Sequence, residues 1–564
     1  MPLEAFAPYR LPPGSPANVP SGGDAVDPIV GPPGVVPASA VGRALADVPA
    51  GLAAPGVSPC LAADGQAAGM GGPPRACLSS RGQREFVARA VQDAWAAGFG
   101  GVLIDRPDHG HATVLLGAGF CPDCQRDFVR HLAREYGDHF QAIDYLRVAR
   151  TALADAPGAV TFERLPYGRD FWSWRHDALE RAVAAYVRSA RDAARAAGAP
   201  GQTARGGAVA EKAARTFDVA VQFDAVGPSQ LRLARLADGV VFPAIAPPNG
   251  TGIGLLRLLR AVMRRRPAAV QPPPGLSPAA LARLAAIAAT CGIELAGQGP
   301  TPPKEVARVR SLGRQLREAG RGPEQTTPFA EAVLLYSPEA DLWTGGRHLQ
   351  ALLRAAETLA LAHVQAPVVT RLSDAPRDVP IVLADPGALP PHDAKELHRR
   401  LEAGQSILSF GSAAEVDETG RAHEGALPPG KPGGVRVGAG TLAQLPALAP
   451  LGGEDPPSPE DVEKALNAVL GRGKRAANVA GRHPVLVVVD RTEDAVHAHL
   501  VSLSNERAQG VTLFLGVKLA GGVRRARFVS ADGTDVRIPM NPSGQSLSTV
   551  LPSWNGYAVL SLAP

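Results

Sequence analysis

The sequence predicts an α/β multidomain protein: a parallel α/β sheet or (β/α) barrel, an open doubly wound unit, and a C-terminal all-β sandwich. Three observations carry this. Short apolar runs alternate with helical periodicity from about residue 80 to 410. Beyond about residue 484 the pattern changes to short strands separated by Gly and Asn turns. The 564 residues also exceed what a single hydrophobic core organises.

The elements follow in order. Residues 1–56 hold 12 Pro and 8 Gly with almost no apolar periodicity, and read as an extended or mobile segment. Ser80-Arg-Gly-Gln83 reads as a capping box, and Phe86/Val87, Ala90/Val91 and Ala94/Trp95 repeat at helical spacing up to Gly98. Gly101-Val-Leu-Ile-Asp105 then suits a buried parallel strand ending on a carboxylate. After a loop with two histidines and Cys121-Pro-Asp-Cys124, the stripe Phe128, Leu132, Tyr136 predicts a helix closed by Gly137, and a longer helix spans about 171–198. Runs at 218–223, 238–242, 268–271 and 292–296 are strand-like, with helices at 255–265 and 279–290. This first unit is placed at 57–325.

A second unit, 326–482, alternates strands at 332–336, 379–384 and 406–410 with helices at 348–362 and 392–403, the open doubly wound pattern. Residues 483–564 supply the sandwich strands. Apolar residues make 45% of the chain, aromatics only 5%, and 62 Gly with 54 Pro imply plentiful loops. A net charge of +5 with both signs interspersed argues against a nucleic-acid partner. There is no uncharged apolar run of about 18 residues, and Met1-Pro2-Leu3-Glu4 has no signal-peptide character, so no membrane partner is expected. Five cysteines do not make a disulfide scaffold, which points to a reducing, cytoplasmic setting.

The stretch Leu103-Ile-Asp-Arg-Pro-Asp-His-Gly-His111, the loop Gly119-Phe-Cys-Pro-Asp-Cys124 and the helix Phe128 to Gly137 together resemble the family-42 β-galactosidases and related barrel glycoside hydrolases. In that family a barrel strand ends in Asp-Asn-Glu, a loop brings Cys-x-Cys-x-x-Cys, and a helix ending in Tyr-Gly follows. Downstream, Ala332-Val-Leu-Leu-Tyr-Ser337 and Leu361-Ala-His-Val364 resemble the family's second domain, a flavodoxin-like, amidotransferase-related unit used for trimer contacts. The resemblance implies carbohydrate as partner, a homotrimer, and a barrel whose first strands are lacking, since residues 1–56 do not read as strands.

The resemblance also implies a site, with departures. A glycosidase needs two carboxyl groups across the scissile bond. Where the family's acid/base Glu stands, this chain has Arg106-Pro107, so Asp108 or Asp105 is the candidate acid/base. The second carboxylate is expected at a later strand end, where Phe242-Pro243 stands; Asp224, Asp238 and Glu294 are the substitutes, with Glu294 and Asp238 preferred. Each also reads as an ordinary capping or salt-bridged residue. Trp172 and Trp174 are candidate sugar platforms, or helix packing.

The family holds a zinc on one upstream Cys and three loop Cys. Cys77, Cys121 and Cys124 fall at matching places, Gly119 stands at the remaining one, and His111, or less favourably His109 or Cys60, is the candidate fourth ligand. A thioredoxin-like redox pair is disfavoured because a polar loop separates the Cys pair from the preceding strand. Cys291 reads as core. No cysteine lies beyond Cys291 and no Gly-x-Ser-x-Gly elbow occurs in the second unit, which excludes acyl transfer there. Gly250-Thr-Gly-Ile-Gly254 reads as a loop rather than a phosphate cradle, and the Arg257, Arg260, Arg264–Arg266 cluster as the solvated face of a helix.

The expected function is therefore that of a glycosidase acting on an unidentified carbohydrate, with no cofactor required for the chemistry and a structural zinc implied by the resemblance. The alternative is a catalytically degenerate carbohydrate-binding or oligomeric scaffold protein of the same architecture.

Overall fold

The computed structural model describes most residues from 101 onward, together with Cys77, Ser80 and four positions between 82 and 89. Residues 1–76, 91–100, 106–118, 156–164, 199–217, 245–250, 297–301, 412–426, 449–456 and 472–474, with some shorter stretches, lie outside the described residues. The chain divides into two compact units, Met1–Pro243 and Ala244–Pro564.

In the first unit three short strands run parallel in the order β1 (Gly101–Asp105), β2 (Asp218–Gln222), β3 (Gly239–Pro243). Residues 82, 85, 88 and 89 are helical, as the capping box predicts. Helix α1 (Pro122–Tyr136) starts with Cys121 at its N-cap and Pro122 in its first turn, where a missing N–H costs nothing. Its buried stripe is Cys124, Phe128 and Leu132, one residue per turn, and Gly137 at φ 53° ends it. Helices α2 (Tyr145–Asp155), α3 (Gly168–Gly198) and α4 (Pro228–Ala234) complete the described part. The core between α1 and α3 is aromatic: Phe128 meets Tyr145, Phe171 and Trp174 at ring distances of 4.9, 5.1 and 5.1 Å. Each such pair adds about 0.5–1.5 kcal/mol beyond its buried area.

The second unit opens with α5 (Ile253–Met263), then β4 (Ala268–Gln271), α6 (Pro278–Thr290), β5 (Glu294–Leu295) and α7 (Lys304–Glu318); β4 and β5 are parallel. Ser277 caps α6 by accepting a hydrogen bond from the Ala280 N–H. A short strand β6 (Thr327–Pro328) precedes β7 (Val333–Leu335), α8 (Pro338–Trp343), α9 (Arg347–Leu361), β8 (Val368–Val369), β9 (Ile381–Ala384), α10 (Pro391–Glu402), β10 (Ile407–Phe410), β11 (Val435–Val437) and β12 (Gly440–Leu445). These strands form a sheet of order β11-β12-β10-β9-β7-β8, parallel except for the β11 edge. Strands β7, β9 and β10 are buried at every position, so they are apolar runs rather than alternating ones.

After α11 (Pro459–Leu470) come β13 (Ala477–Ala480), β14 (Val485–Arg491), β15 (Val496–Ser502), β16 (Thr512–Gly516), β17 (Arg525–Ser530), β18 (Asp535–Pro539), β19 (Asn541–Ser543), β20 (Ser546–Val550) and β21 (Tyr557–Leu562). They pair antiparallel in two sheets, β13-β16-β20-β19 and β18-β17-β21-β15-β14-β6, whose facing side chains share one apolar cluster around Phe528 and Trp554. The molecule is thus a mixed α/β multidomain protein with several sheets, as expected. Among the described residues no helix is long and apolar enough to cross a membrane.

The glycine-rich segment before α5 serves packing. A Cβ on Gly254 would lie 2.8 Å from the Leu353 carbonyl oxygen and 2.9 Å from its Cα, so glycine lets α5 press directly on α9. Just ahead of α5, Glu357 accepts from the Thr251 N–H and from the Thr251 hydroxyl at 2.8 Å, and that hydroxyl oxygen accepts from the Ile253 N–H of the first turn at 3.2 Å. A side-chain carboxylate therefore holds the place an anion would take.

Candidate functional site

Three cysteines come together in the first unit, Cys77 meeting Cys121 and Cys124 from 44 and 47 residues away. Cys77 Sγ lies 3.2 Å from Cys121 Sγ and 3.6 Å from Cys124 Sγ, and all three are buried. The helix supplies the geometry: Cys121 at the N-cap and Cys124 one turn on project side by side, and Cys77 closes the triangle. Three sulfurs around one zinc at about 2.3 Å lie about 3.8 Å apart, close to the separations here. The ligand atoms of the trio all fall within 4.8 Å of one another, and it is the one group of this kind among the described residues. Hydrogen bonding with Cys121 and Cys77, then burial, pushes the Cys124 thiol well up. A bound cation would reverse that balance.

Gly119 sits two residues before Cys121 at φ 93°, and a Cβ there would come within 3.2 Å of the Phe171 ring and 3.3 Å of Arg175 Cδ. A side chain at this position is strained in backbone and in space. The sequence shows a glycine here; only the packing shows that a fourth thiol at this position would be crowded and strained. His111, His109 and Cys60 lie outside the described residues.

The acidic candidates stand on different elements. Asp108 and Asp224 lie outside the described residues; Asp105 closes β1, and its backbone pairs with Gln222. Asp238, just before β3, accepts from Arg191 Nη2 at 2.5 Å and from the Val219 N–H at 3.0 Å, so both carboxylate oxygens are committed to holding α3 and β2. Glu294 opens β5 in the second unit, is 43% exposed, and has Arg317 at 3.6 Å.

Trp172 and Trp174 are 3% and 1% exposed. Trp174 stands in the aromatic core with its indole N–H donating to Asp127 at 3.1 Å, and Trp172 carries the Arg175 guanidinium 4.8 Å over its ring. Both rings are packed inside the unit.

No family model matches the chain, and no curated protein matches it in sequence. Among solved structures it is similar to the β-galactosidase of Bacillus circulans sp. alkalophilus, with TM-score 0.58 at 12% identity over 93% of this chain and 88% of that one. A catalytic mutant of Gan42B, a family-42 β-galactosidase from G. stearothermophilus, matches with TM-score 0.55 at 12% identity over 87% of this chain and 83% of that one. The fold is that of the family-42 β-galactosidases. An α-L-fucosidase, isoenzyme 2 of Paenibacillus thiaminolyticus, also matches, with TM-score 0.53 at 11% identity over 88% of this chain and 82% of that one. The family-42 fold here thus has other glycoside hydrolases among its structural neighbours.

One cluster had a different fate from its sequence reading. Arg257 and Arg260 do not form a solvated helix face: Arg257 is 6% exposed and Arg260 is ion-paired to the fully buried Asp490. Helix α5 is covered because both its faces pack within the second unit, and the aliphatic arginine stems contribute to that packing. No signal in the helix itself separates these arginines from the exposed Arg264.

Proposed function

We propose that this protein is a glycoside hydrolase-like protein acting on a glycosidic bond of a carbohydrate, built as a (β/α) barrel shortened at its N-terminal side, an amidotransferase-like middle domain and a β-sandwich. The single observation that carries the proposal is the match in fold to β-galactosidases along nearly the whole chain rather than over one domain. Fold alone does not set chemistry, and the residues must carry the rest.

In this reading Asp108 or Asp105 supplies the acid/base carboxyl and Glu294 or Asp238 the partner. Glu294 is the more available of the latter two, because Asp238 is already saturated by Arg191 and a backbone N–H. The cysteine trio is assigned a structural role: Cys77, Cys121 and Cys124 hold a zinc with His111 as the fourth ligand, tying the start of α1 to the chain ahead of it. Carbohydrate is the partner and a homotrimer the assembly.

The test is hydrolysis of a panel of aryl glycosides by the wild-type chain and by Asp108→Asn and Glu294→Gln. Turnover lost by about 100-fold or more in both variants is expected, in line with removal of an acid/base group. Absence of turnover on every aryl glycoside, with binding on a glycan array, would select the degenerate carbohydrate-binding alternative.

A further inference from the structure

A cavity of about 280 Å³ lies wholly within the second unit, walled by α5, by the chain around β6 and β8, and by β14. Its polar wall is made of arginines on successive turns of α5, and these are not equivalent. Arg260 is fully committed: it donates to Asp490 Oδ1 at 3.2 Å and Oδ2 at 3.1 Å, and to the carbonyl oxygens of Pro323 at 2.7 Å and Thr290 at 3.4 Å. Asp490 in turn accepts from the Thr326 hydroxyl at 2.8 Å, so that pair is neutral and closed.

Arg257 is different. It is buried, and its Nη1 donates to the Ala366 carbonyl at 3.2 Å. Among the described residues it has no ion-pair partner, and its Nε and Nη2 make no hydrogen bond, yet neither atom is sealed away from the cavity. Nε–H and the outer Nη2–H of a guanidinium are parallel donors on one edge, the edge that grips a carboxylate side-on with two bonds. The nearest carboxylates, Glu357 and Asp490, act on it only through space, Glu357 being bonded to Thr251 and Asp490 to Arg260, so a buried guanidinium edge without a direct partner is what an incoming anion would satisfy.

The rest of the lining sets the shape of the anion. Ala261, Phe329, Pro367, Val368 and Val489 are apolar, and the carbonyls nearby are already used as acceptors. A phosphate would need donors on several sides, and besides Arg257 the wall offers chiefly Arg264, which is 68% exposed and paired with Asp374 at 3.4 Å. We propose that the cavity is a binding site for a small carboxylate with an apolar body, the carboxylate seated side-on on Arg257 and the body against Phe329 and Val368.

The test uses the full-length chain with benzoate, its neutral isostere benzamide, and inorganic phosphate, each by titration calorimetry. Benzoate is expected to bind and benzamide and phosphate not to. Arg257→Lys, which keeps the charge but loses the fork, is expected to weaken benzoate by about tenfold or more. Because a buried arginine variant can fail to fold, Ala261→Phe is the second variant: Ala261 is only partly buried, and the new ring fills the cavity from α5. That variant is expected to keep its circular dichroism and melting temperature and lose the benzoate signal. Equal binding of benzoate and benzamide, binding of phosphate in preference, no benzoate binding at millimolar concentration, or wild-type binding by folded Ala261→Phe each overturns the proposal.

Discussion

Replacing Asp490 by alanine is a direct measure of how the second unit is held together. Asp490 on β14 has no solvent exposure and Arg260 on α5 only 13%, so this is a buried pair joining a helix to a strand 230 positions away. Deleting the carboxylate leaves the guanidinium with carbonyl acceptors but no counter-charge, and leaves the Thr326 hydroxyl only its longer contact to the Pro323 carbonyl at 3.3 Å. Breaking one side of a buried pair typically costs about 3–5 kcal/mol. For a unit as long as Ala244–Pro564 the unfolding entropy is about 0.7 kcal/mol per kelvin, so the melting temperature should fall by about 4–7 °C. Scanning calorimetry on the full chain reads this, and the double variant Arg260→Met with Asp490→Leu should recover most of it, since an apolar pair of similar volume avoids the desolvation penalty. A single variant that melts within about 1 °C of wild type would refute the reasoning, because the pair would then carry no net stabilisation.

Acidification should weaken the same unit. Burial pulls both His348 and His499 down to about 4, below the ordinary histidine value of 6.5, so the unfolded chain takes up protons that the folded one refuses. Their contribution is present above about pH 6.5 and is lost as pH falls towards 4, and His499→Gln should flatten the melting-temperature profile in that window. Asp341 acts in the opposite sense: burial raises its carboxyl to about 7, so its contribution is present at low pH and is lost as pH rises from about 4 through 7, and Asp341→Asn should remove that slope. For the thiolate trio, protein purified without chelator should carry close to one equivalent of zinc by elemental analysis, and Cys121→Ser should lose it; less than half an equivalent in the wild type would overturn the metal assignment.

Much of the local structure was legible because it depends on neighbours in sequence. The strand at 268–271 and the helices at 279–290, 348–362 and 392–403 were set by periodicity and caps to within one residue at either end. The Cys pair at the start of α1 was equally plain, since the N-cap position and helical spacing are local facts. The arginines of α5 were not: exposure depends on what packs against a helix, and a stripe of Arg every three or four residues looks the same whether it meets water or a buried aspartate.

The sequence by itself determined many of the elements, the change from parallel α/β to antiparallel β near residue 484, and the residue types available for chemistry, because periodicity, caps and turns act over a few residues; the helices at 145–155 and 304–318 and the strands at 477–480 and 535–550 were not read from it. Only the tertiary structure decided how closely Cys77, Cys121 and Cys124 approach, that a side chain at Gly119 is crowded, that Trp172 and Trp174 pack inside, and that Arg257 faces a cavity. Each of these is a contact between segments far apart in the chain, and such contacts are fixed by close packing of whole elements, which no local pattern encodes.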